Sequence, residues 1–192
     1  KGPWTSSISY GLPVAVPDGL DALAEADTVI AMPWGGEHGN PAPDDVIAAL
    51  RLAYHRGARM MSFCTGTFLL AAAGVLDGRR ATTHWQAAAA LAATFPAVRV
   101  DPQVLYVDDG QVLTSAGAAA SFDLALHVVR LDHGADVANA VARGLVVPPH
   151  RDGGQAQYVD APVARTAGPD PFHETLDWAV DHLDEPLSVG DL

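Results

Sequence analysis

The sequence predicts an α/β fold, a mostly parallel sheet with helices packed on both faces. Short aliphatic and β-branched runs alternate with segments of helical period over the first three-quarters of the chain, the pattern left by strands joined through crossover helices. Glycine or proline bounds many of these runs, so several elements carry a marked beginning or end. At 192 residues, 49% of them hydrophobic, the chain can bury one well-formed core with something left over.

Taken in order, Leu12 to Val16 lies between a glycine and a proline and reads as a strand. Asp18 to Ala26 reads as a short helix, and Thr28 to Met32 as a buried strand stopped by Pro33. The spacing predicts a helix from Asp44, with Val46, Leu50, Ala53 and Tyr54 on one face and Gly57 closing it. Arg59 to Phe63 is the next strand, and Thr65 to Ala73 a helix ending at Gly74. Val98 to Val100, Val104 to Val107 and Gln111 to Thr114 read as strands, with Asp108-Asp109-Gly110 as a hairpin turn. Two helices follow: Ala118 to Leu131 gathers Phe122, Ala125, Leu126 and Val129, and Ala135 to Leu145 gathers Val137, Ala138, Val141 and Ala142. A sheet of this kind carries its chemistry at the carboxyl ends of its strands.

After Val147 the texture changes. Pro148 to Gly154 is rich in turn residues, and Ala161 to Pro171 is a linker containing proline and glycine. The domain reading is therefore 1–160 as one unit, 161–171 as linker and 172–192 as the start of a second unit. In that second unit Phe172, Leu176, Ala179, Val180 and Leu183 form an amphipathic helix ended by Glu185-Pro186, and Ser188 is placed to cap another.

The formal net charge is −12. Such a surface repels a phosphate backbone, so this part of the protein is not expected to hold DNA by itself. No apolar run reaches the roughly eighteen residues of a membrane span, and Lys1-Gly2-Pro3-Trp4 does not open a signal peptide. A single cysteine, Cys64, excludes an internal disulfide and fits a reducing cytoplasm. Arginine far outnumbers lysine and alanine is abundant, a composition suggesting a high-GC bacterial genome.

Ser62-Phe63-Cys64-Thr65-Gly66 sits where an apolar strand turns into a helix, the geometry of a nucleophile elbow. The amides that open the helix favour negative charge, which activates a thiol and can hold an oxyanion. The same residues fit a buried, inert cysteine in a strand-helix corner. His84, in Ala81-Thr82-Thr83-His84-Trp85, is a candidate base or hydrogen-bond donor to a ligand; a structural histidine bonded to backbone fits equally. Gly35, in Met32-Pro33-Trp34-Gly35-Gly36, allows backbone amides to face a pocket, or simply makes a turn. Thr114 to Gly117, at another strand end, borders the same region.

Other chemistry is not provided for. A His-x-Glu pair is absent, since His173-Glu174 are adjacent and lie in the tail. Asp108-Asp109 reads as turn, His55, His127 and His133 as mostly solvated helix positions, and His38 stands alone, so neither paired carboxylates nor a metal site is expected. Gly35-Gly36-Glu37-His38-Gly39 lacks both GxxxxGK[ST] and GxGxxG, and no cofactor is expected.

Cys64-Thr65-Gly66, the run Leu70 to Trp85 (LAAAGVLDGRRATTHW) and the run Thr114 to Ala120 (TSAGAAA) resemble the GlxA/AdpA-type branch of the AraC-family transcriptional regulators. In that branch a ThiJ/PfpI-like domain, akin to class I glutamine amidotransferases, precedes an AraC helix-turn-helix domain. Val146 to Arg151, Gly153-Gly154-Gln155 and Leu183 to Val189 are similar to the same branch.

The resemblance implies a flavodoxin-like unit over 1–160 that would form a homodimer, with room for a small-molecule effector beside Cys64. Gly35, Cys64, Thr65 and His84 would line that pocket, with Cys64 a vestige of a nucleophile rather than a working one. Residues 172–192 would open the AraC-type domain, and DNA would be read by helix-turn-helix units that follow. A helical face such as Ala118 to Leu131 would supply the two-fold contact.

The chain departs from the family twice. The family's first strand and helix, which carry an acidic residue facing the cysteine, have no counterpart before Lys1. Thr65 follows the cysteine where many PfpI-type hydrolases have histidine, which weakens a protease or deglycase reading. The rival reading is an isocyanide hydratase, a family of the same fold that is similar around Cys-Thr-Gly and Ala-Thr-Thr-His-Trp. In that reading Cys64 is the nucleophile and its acid partner belongs to the absent N-terminal part. The amphipathic helix after Pro171 favours the regulator, for which a purely structural dimerisation role is the third reading.

Overall fold

A computed structural model describes residues 4–7, 13–16, 18–34, 41–151 and 154–155, with 4–7 and 13–16 as backbone. The chain divides between Val159 and Asp160 into two units, and every described residue lies in the first. The expected linker 161–171 and the expected second unit 172–192 lie outside the described residues.

The chain opens with β1 (Trp4–Ser7) and β2 (Pro13–Val16), an antiparallel ladder in which Trp4 faces Val16. The strand expected from Leu12 thus begins at Pro13, with Leu12 outside the described residues. Its partner was not foreseen, because Trp4-Thr5-Ser6-Ser7 carries no apolar run. The helix expected over Asp18 to Ala26 is a short 3-10 segment, Leu20–Ala24.

There follow β3 (Thr28–Ala31), α1 (Asp44–Arg56), β4 (Arg59–Phe63), α2 (Thr67–Ala72), β5 (Arg80–Ala81), α3 (Trp85–Thr94), β6 (Arg99–Val100), β7 (Tyr106–Asp109), β8 (Val112–Ser115), α4 (Ala120–His133) and α5 (Ala135–Leu145). The main sheet has the order β3-β4-β8-β7. Strands β3, β4 and β8 run parallel, and β7 is added antiparallel to β8 by a hairpin. Its turn is Gly110-Gln111, with Gly110 at φ +70, rather than Asp108-Asp109-Gly110. The aspartates remain in the strand, where Asp109 pairs in register with Val112. The Asp109 carboxylate also accepts from Arg79 Nη1 and from the Arg80 amide, both at 3.1 Å.

Helices cover both faces, as alternation along a strand requires. Met60 packs with Leu50 of α1, Leu70 of α2 and Leu91 of α3, whereas its neighbour Met61 packs with Leu113 and with Leu124 of α4. Strand β3 corrects the expectation of a fully buried run: Val29 and Ala31 are buried, while Thr28 and Ile30 are exposed. Gly57 closes α1 as the sequence indicates, at φ +99, its amide donating to Ala53 O and Tyr54 O. Helix α3 escaped the sequence reading because WQAAAALAAT offers no contrast of apolar and polar faces. Alanine's helix propensity and a cap from His84 explain it afterwards. Among the described residues no helix is long and apolar enough to cross a membrane.

The side sheet β5-β6 is tied by Arg80, whose Nη2 and Nε reach Asp101 Oδ2 at 2.5 and 3.2 Å. Burial pushes the Asp101 carboxyl up, but donors from Arg80 and the Gln103 amide outweigh it and hold the group below the ordinary carboxylate value. A carboxylate lowered in the folded state contributes fully above its unfolded value, about 3.9, and its contribution is lost as pH falls through the folded value. Asp101→Asn is therefore expected to flatten the acid limb of a melting-temperature profile below about pH 4. An acid limb identical to that of the unsubstituted protein would assign the acid sensitivity to other carboxylates.

Candidate functional site

Strand β4 ends at Phe63, and a single 3-10 turn, Cys64–Gly66, leads into α2. The helix expected from Thr65 is thus α-helical only from Thr67. Cys64 adopts φ +52, a left-handed conformation uncommon for a residue with a side chain. Gly66 lies against the end of β3: a Cβ there would fall 2.1 Å from Ala31 O and 2.8 Å from Met32 O. Only glycine fits that approach without a backbone shift, and the cysteine turn is thereby set over the carboxyl ends of β3, β4 and β8.

Beneath the turn is a buried network of hydroxyls. Ser62, Thr67, Thr82, Thr83, Thr114 and Ser115 are all buried, although four of them sit in or beside apolar strands. Thr83 Oγ1 donates to Cys64 O at 2.8 Å. Thr67 Oγ1 lies 3.0 Å from both Cys64 O and Thr82 O, and 2.8 Å from Ser62 Oγ. Its single proton must go to a carbonyl, so Ser62 donates to Thr67. The Thr82 amide donates to Thr114 Oγ1 at 2.8 Å, and Ser115 Oγ donates to Ser62 O at 3.3 Å. Gln155 completes the network through its Nε2, which donates to Thr82 Oγ1 and Thr83 O. Among the described residues no buried side-chain nitrogen or oxygen lacks a partner.

The structure brings Cys64, Thr65, His84 and Gly117 to one end of the sheet. Cys64 and Thr65 share the half-buried turn, and the Cys64 amide donates to Ala116 O at 3.3 Å. His84 follows Thr83 and caps α3, its Nδ1 accepting from the Gln86 amide at 3.3 Å. Its ring stacks on Trp85 and lies over Gly117, where a Cβ would meet His84 Cδ2 at 2.0 Å. Thr114 and Ser115 point into the hydroxyl network rather than toward solvent. Gly35, with Glu37 and His38, lies outside the described residues.

The chemical capacity of this arrangement follows from its hydrogen bonds. The lone pair on His84 Nδ1 is engaged by the helix cap, so the ring has only Nε2 to offer a ligand. Among the described residues no carboxylate bonds the His84 ring and no group bonds the Cys64 thiol. A histidine and a carboxylate do meet elsewhere, at His127 Nε2 and Asp108 Oδ2, 2.7 Å apart beside Tyr106. No group of three potential metal ligands occurs among the described residues. A hollow of about 380 Å³ opens at the other end of the strands, between Thr28, Arg59 and Gln111. Its arginine is held bidentate by Asp132 at 2.6 and 2.7 Å and is not available to a ligand.

Sequence reading named the elbow but missed Thr67, Thr83 and Gln155 as the groups that hold it. Their signal is faint: three hydrogen-bonding side chains far apart in the sequence, recognisable only when the partners are known.

Residues 7–131 match the DJ-1/PfpI family. The chain belongs to that family. Its mostly parallel sheet with helices on both faces is the flavodoxin-like DJ-1/PfpI fold, as expected. HTH-type transcriptional regulator GbdR of Pseudomonas aeruginosa is 27% identical over 184 residues, 96% of this chain and 50% of that protein. The chain thus spans half the length of that regulator. The isonitrile hydratase of Pseudomonas putida is 34% identical over 143 residues, 74% of this chain and 57% of that enzyme. The crystal structure of an AraC family transcriptional regulator from Pseudomonas putida superposes with a TM-score of 0.64 at 25% identity, covering 73% of this chain and 75% of that one.

The elbow glycine offers a direct check on this geometry. Gly66→Ala is expected to lower stability by about 1–3 kcal/mol, because the added methyl meets backbone that has little room to yield. Denaturant unfolding measures it, and a midpoint unchanged by the substitution would mean that the turn is not seated against β3.

Proposed function

We propose that this chain is the effector-sensing and dimerising part of a DNA-binding transcriptional regulator. Residues 1–160 are the sensor, 161–171 the linker and 172–192 the opening of an AraC-type helix-turn-helix domain that makes the DNA contact. The observation that carries the reading is the similarity to GbdR, which runs over 96% of the chain and so takes in both the DJ-1/PfpI unit and the tail. The chain's net charge of −12 is shared about equally between residues 1–160 and 161–192 and is unfavourable to a phosphate backbone along its whole length, which supports a DNA contact made by other residues of the regulator. An effector would be met at the carboxyl ends of the strands, by Cys64, Thr65, His84 and Gly35. A lone thiol is compatible with a cytoplasmic site of action.

A second reading, cysteine-dependent hydration of an isocyanide, rests on the strained turn at Cys64 and on the similarity to isonitrile hydratase. It is the weaker one, because the His84 Nδ1 is already engaged as a helix cap.

For the homodimer, the α4 face first considered has Leu126 buried and Ala125 and Val129 half-buried, and leaves Phe122 exposed. Helix α5 instead leaves Val137, Val141 and Leu145 exposed by 44, 38 and 49%, on a stripe repeating every fourth residue. Asp136 and Arg143 flank that stripe on one rim, one in the first turn of the helix and one in the last. Packed antiparallel across a two-fold axis, Asp136 comes opposite Arg143 of the partner subunit, and the reciprocal pair forms at once. This self-complementarity supports a second copy of the chain as the occupant of the stripe.

Two measurements test the proposal. The intact mass of the protein from its native cells is expected well above the 20.0 kDa of this chain, with a basic extension past Leu192 that binds DNA. In that protein Cys64→Ser is expected to leave DNA binding unchanged. A native product ending near Leu192 would sink the regulator reading and direct assays toward isocyanides. Sedimentation is expected to give a dimer that Val141→Glu converts to monomer; a Val141→Glu dimer, or a monomer before substitution, would remove α5 from the account.

A further inference from the structure

Gln155 lies beyond α5 and beyond the matched span 7–131, yet it is only 3% exposed. Its backbone is fastened to the segment before β7: its amide donates to Gln103 O at 2.8 Å, and Gly154 bridges Val104. Its side chain goes deeper. Nε2 places one proton on Thr82 Oγ1 at 3.1 Å and the other on Thr83 O at 3.0 Å, which exhausts the donors of the amide. Such a group tolerates burial only with these bonds in place.

The partners of Gln155 are the residues that hold the cysteine turn. Thr83 accepts from Gln155 at its carbonyl and donates from its hydroxyl to Cys64 O at 2.8 Å. Thr82 accepts from Gln155 at its hydroxyl, and its carbonyl and Cys64 O, each 3.0 Å from the Thr67 hydroxyl, compete for that hydroxyl's one proton. The continuous route, through Thr83, ends on the carbonyl of the residue at φ +52, whose conformation depends on being held. A shift of that turn is therefore felt at Thr83 and, through it, at Gln155.

We propose that Gln155 is a positioning residue that couples the Cys64 turn to the chain leaving the sensor, so that a group bound at Cys64 loosens Gln155. The idea rests on the regulator reading, in which the state of the pocket must be conveyed to residues after 155. It names the first link of that path. Arg151, bonded to Asp123 at 2.5 and 3.2 Å, is the neighbouring tie and reports on the link, because trypsin cuts after it when the segment lifts.

Coupling of this kind is reciprocal, so it is testable from both ends. Gln155→Met keeps length and volume but removes both donors. It is expected to speed alkylation of Cys64 by iodoacetamide roughly threefold to tenfold, the factor that one net hydrogen bond carries. Conversely, the unsubstituted chain alkylated at Cys64 is expected to be cut at Arg151 faster by a similar factor, with cutting at Arg56 in α1 unchanged. An alkylation rate unaltered in a cooperatively folding Gln155→Met protein would overturn the proposal. So would cleavage that rises equally at Arg151 and Arg56, or at neither, and this arm decides the matter if the variant does not fold. Neither arm involves DNA, so failure here leaves the regulator reading to its own test.

Discussion

A side chain held at φ +52 persists only where its surroundings determine it. At Cys64 the determinants are the Thr83 hydroxyl on its carbonyl, the Thr67 hydroxyl 3.0 Å from the same carbonyl, and the Ala116 carbonyl on its amide. The turn can approach β3 only because position 66 has no Cβ. Once it is seated, the ends of three parallel strands, the cap of α3 and the small residues after β8 are brought to one place. Much of what distinguishes this end of the sheet from the other follows from that single constraint.

The network that enforces it is costly to assemble and costly to break. Six buried hydroxyl side chains and one buried amide would weaken a core if any were left without a partner. Among the described residues all are satisfied. A similar economy governs the charged groups. The Tyr54 hydroxyl, bonded to Arg79, raises the guanidinium's pKa and outweighs burial, and Asp109 adds to it. That arginine ties α1 to β7 at the end of the sheet away from Cys64. Polar contacts thus join elements distant in sequence at both ends, while Met60 and Met61 anchor the two faces of β4 by burial.

These features bear on what chemistry the elbow can support. A hydrolytic elbow needs a base free to move a proton, whereas His84 spends Nδ1 on the first turn of α3. What the elbow has is a left-handed turn at Cys64 held by buried hydrogen bonds. Membership of the DJ-1/PfpI family fits both histories, and the similarity to GbdR over nearly the whole chain inclines the balance to the regulator.

Much of the fold was legible because its signals are local. The strand Arg59–Phe63, the helix Ala135–Leu145 and the stop at Gly57 each announce themselves by apolar period or by a glycine at positive φ. The elbow was legible too, since Cys64-Thr65-Gly66 follows an apolar strand. Helix α3 was not, because a run of alanines has no sides to tell apart. The turn of the β7-β8 hairpin was misplaced because Asp108-Asp109-Gly110 is good turn chemistry, and only Arg79 and the Arg80 amide explain why Asp109 stays in the strand. The sequence by itself determined the α/β class, the central strand Arg59–Phe63 and the strand-to-helix turn at Cys64, because apolar period and a glycine two residues on are local signals. Tertiary structure alone decided that Gln155 bonds Thr83 and Thr83 bonds Cys64, because hydrogen bonds spanning 72 and 19 residues leave no periodic trace in the chain that makes them.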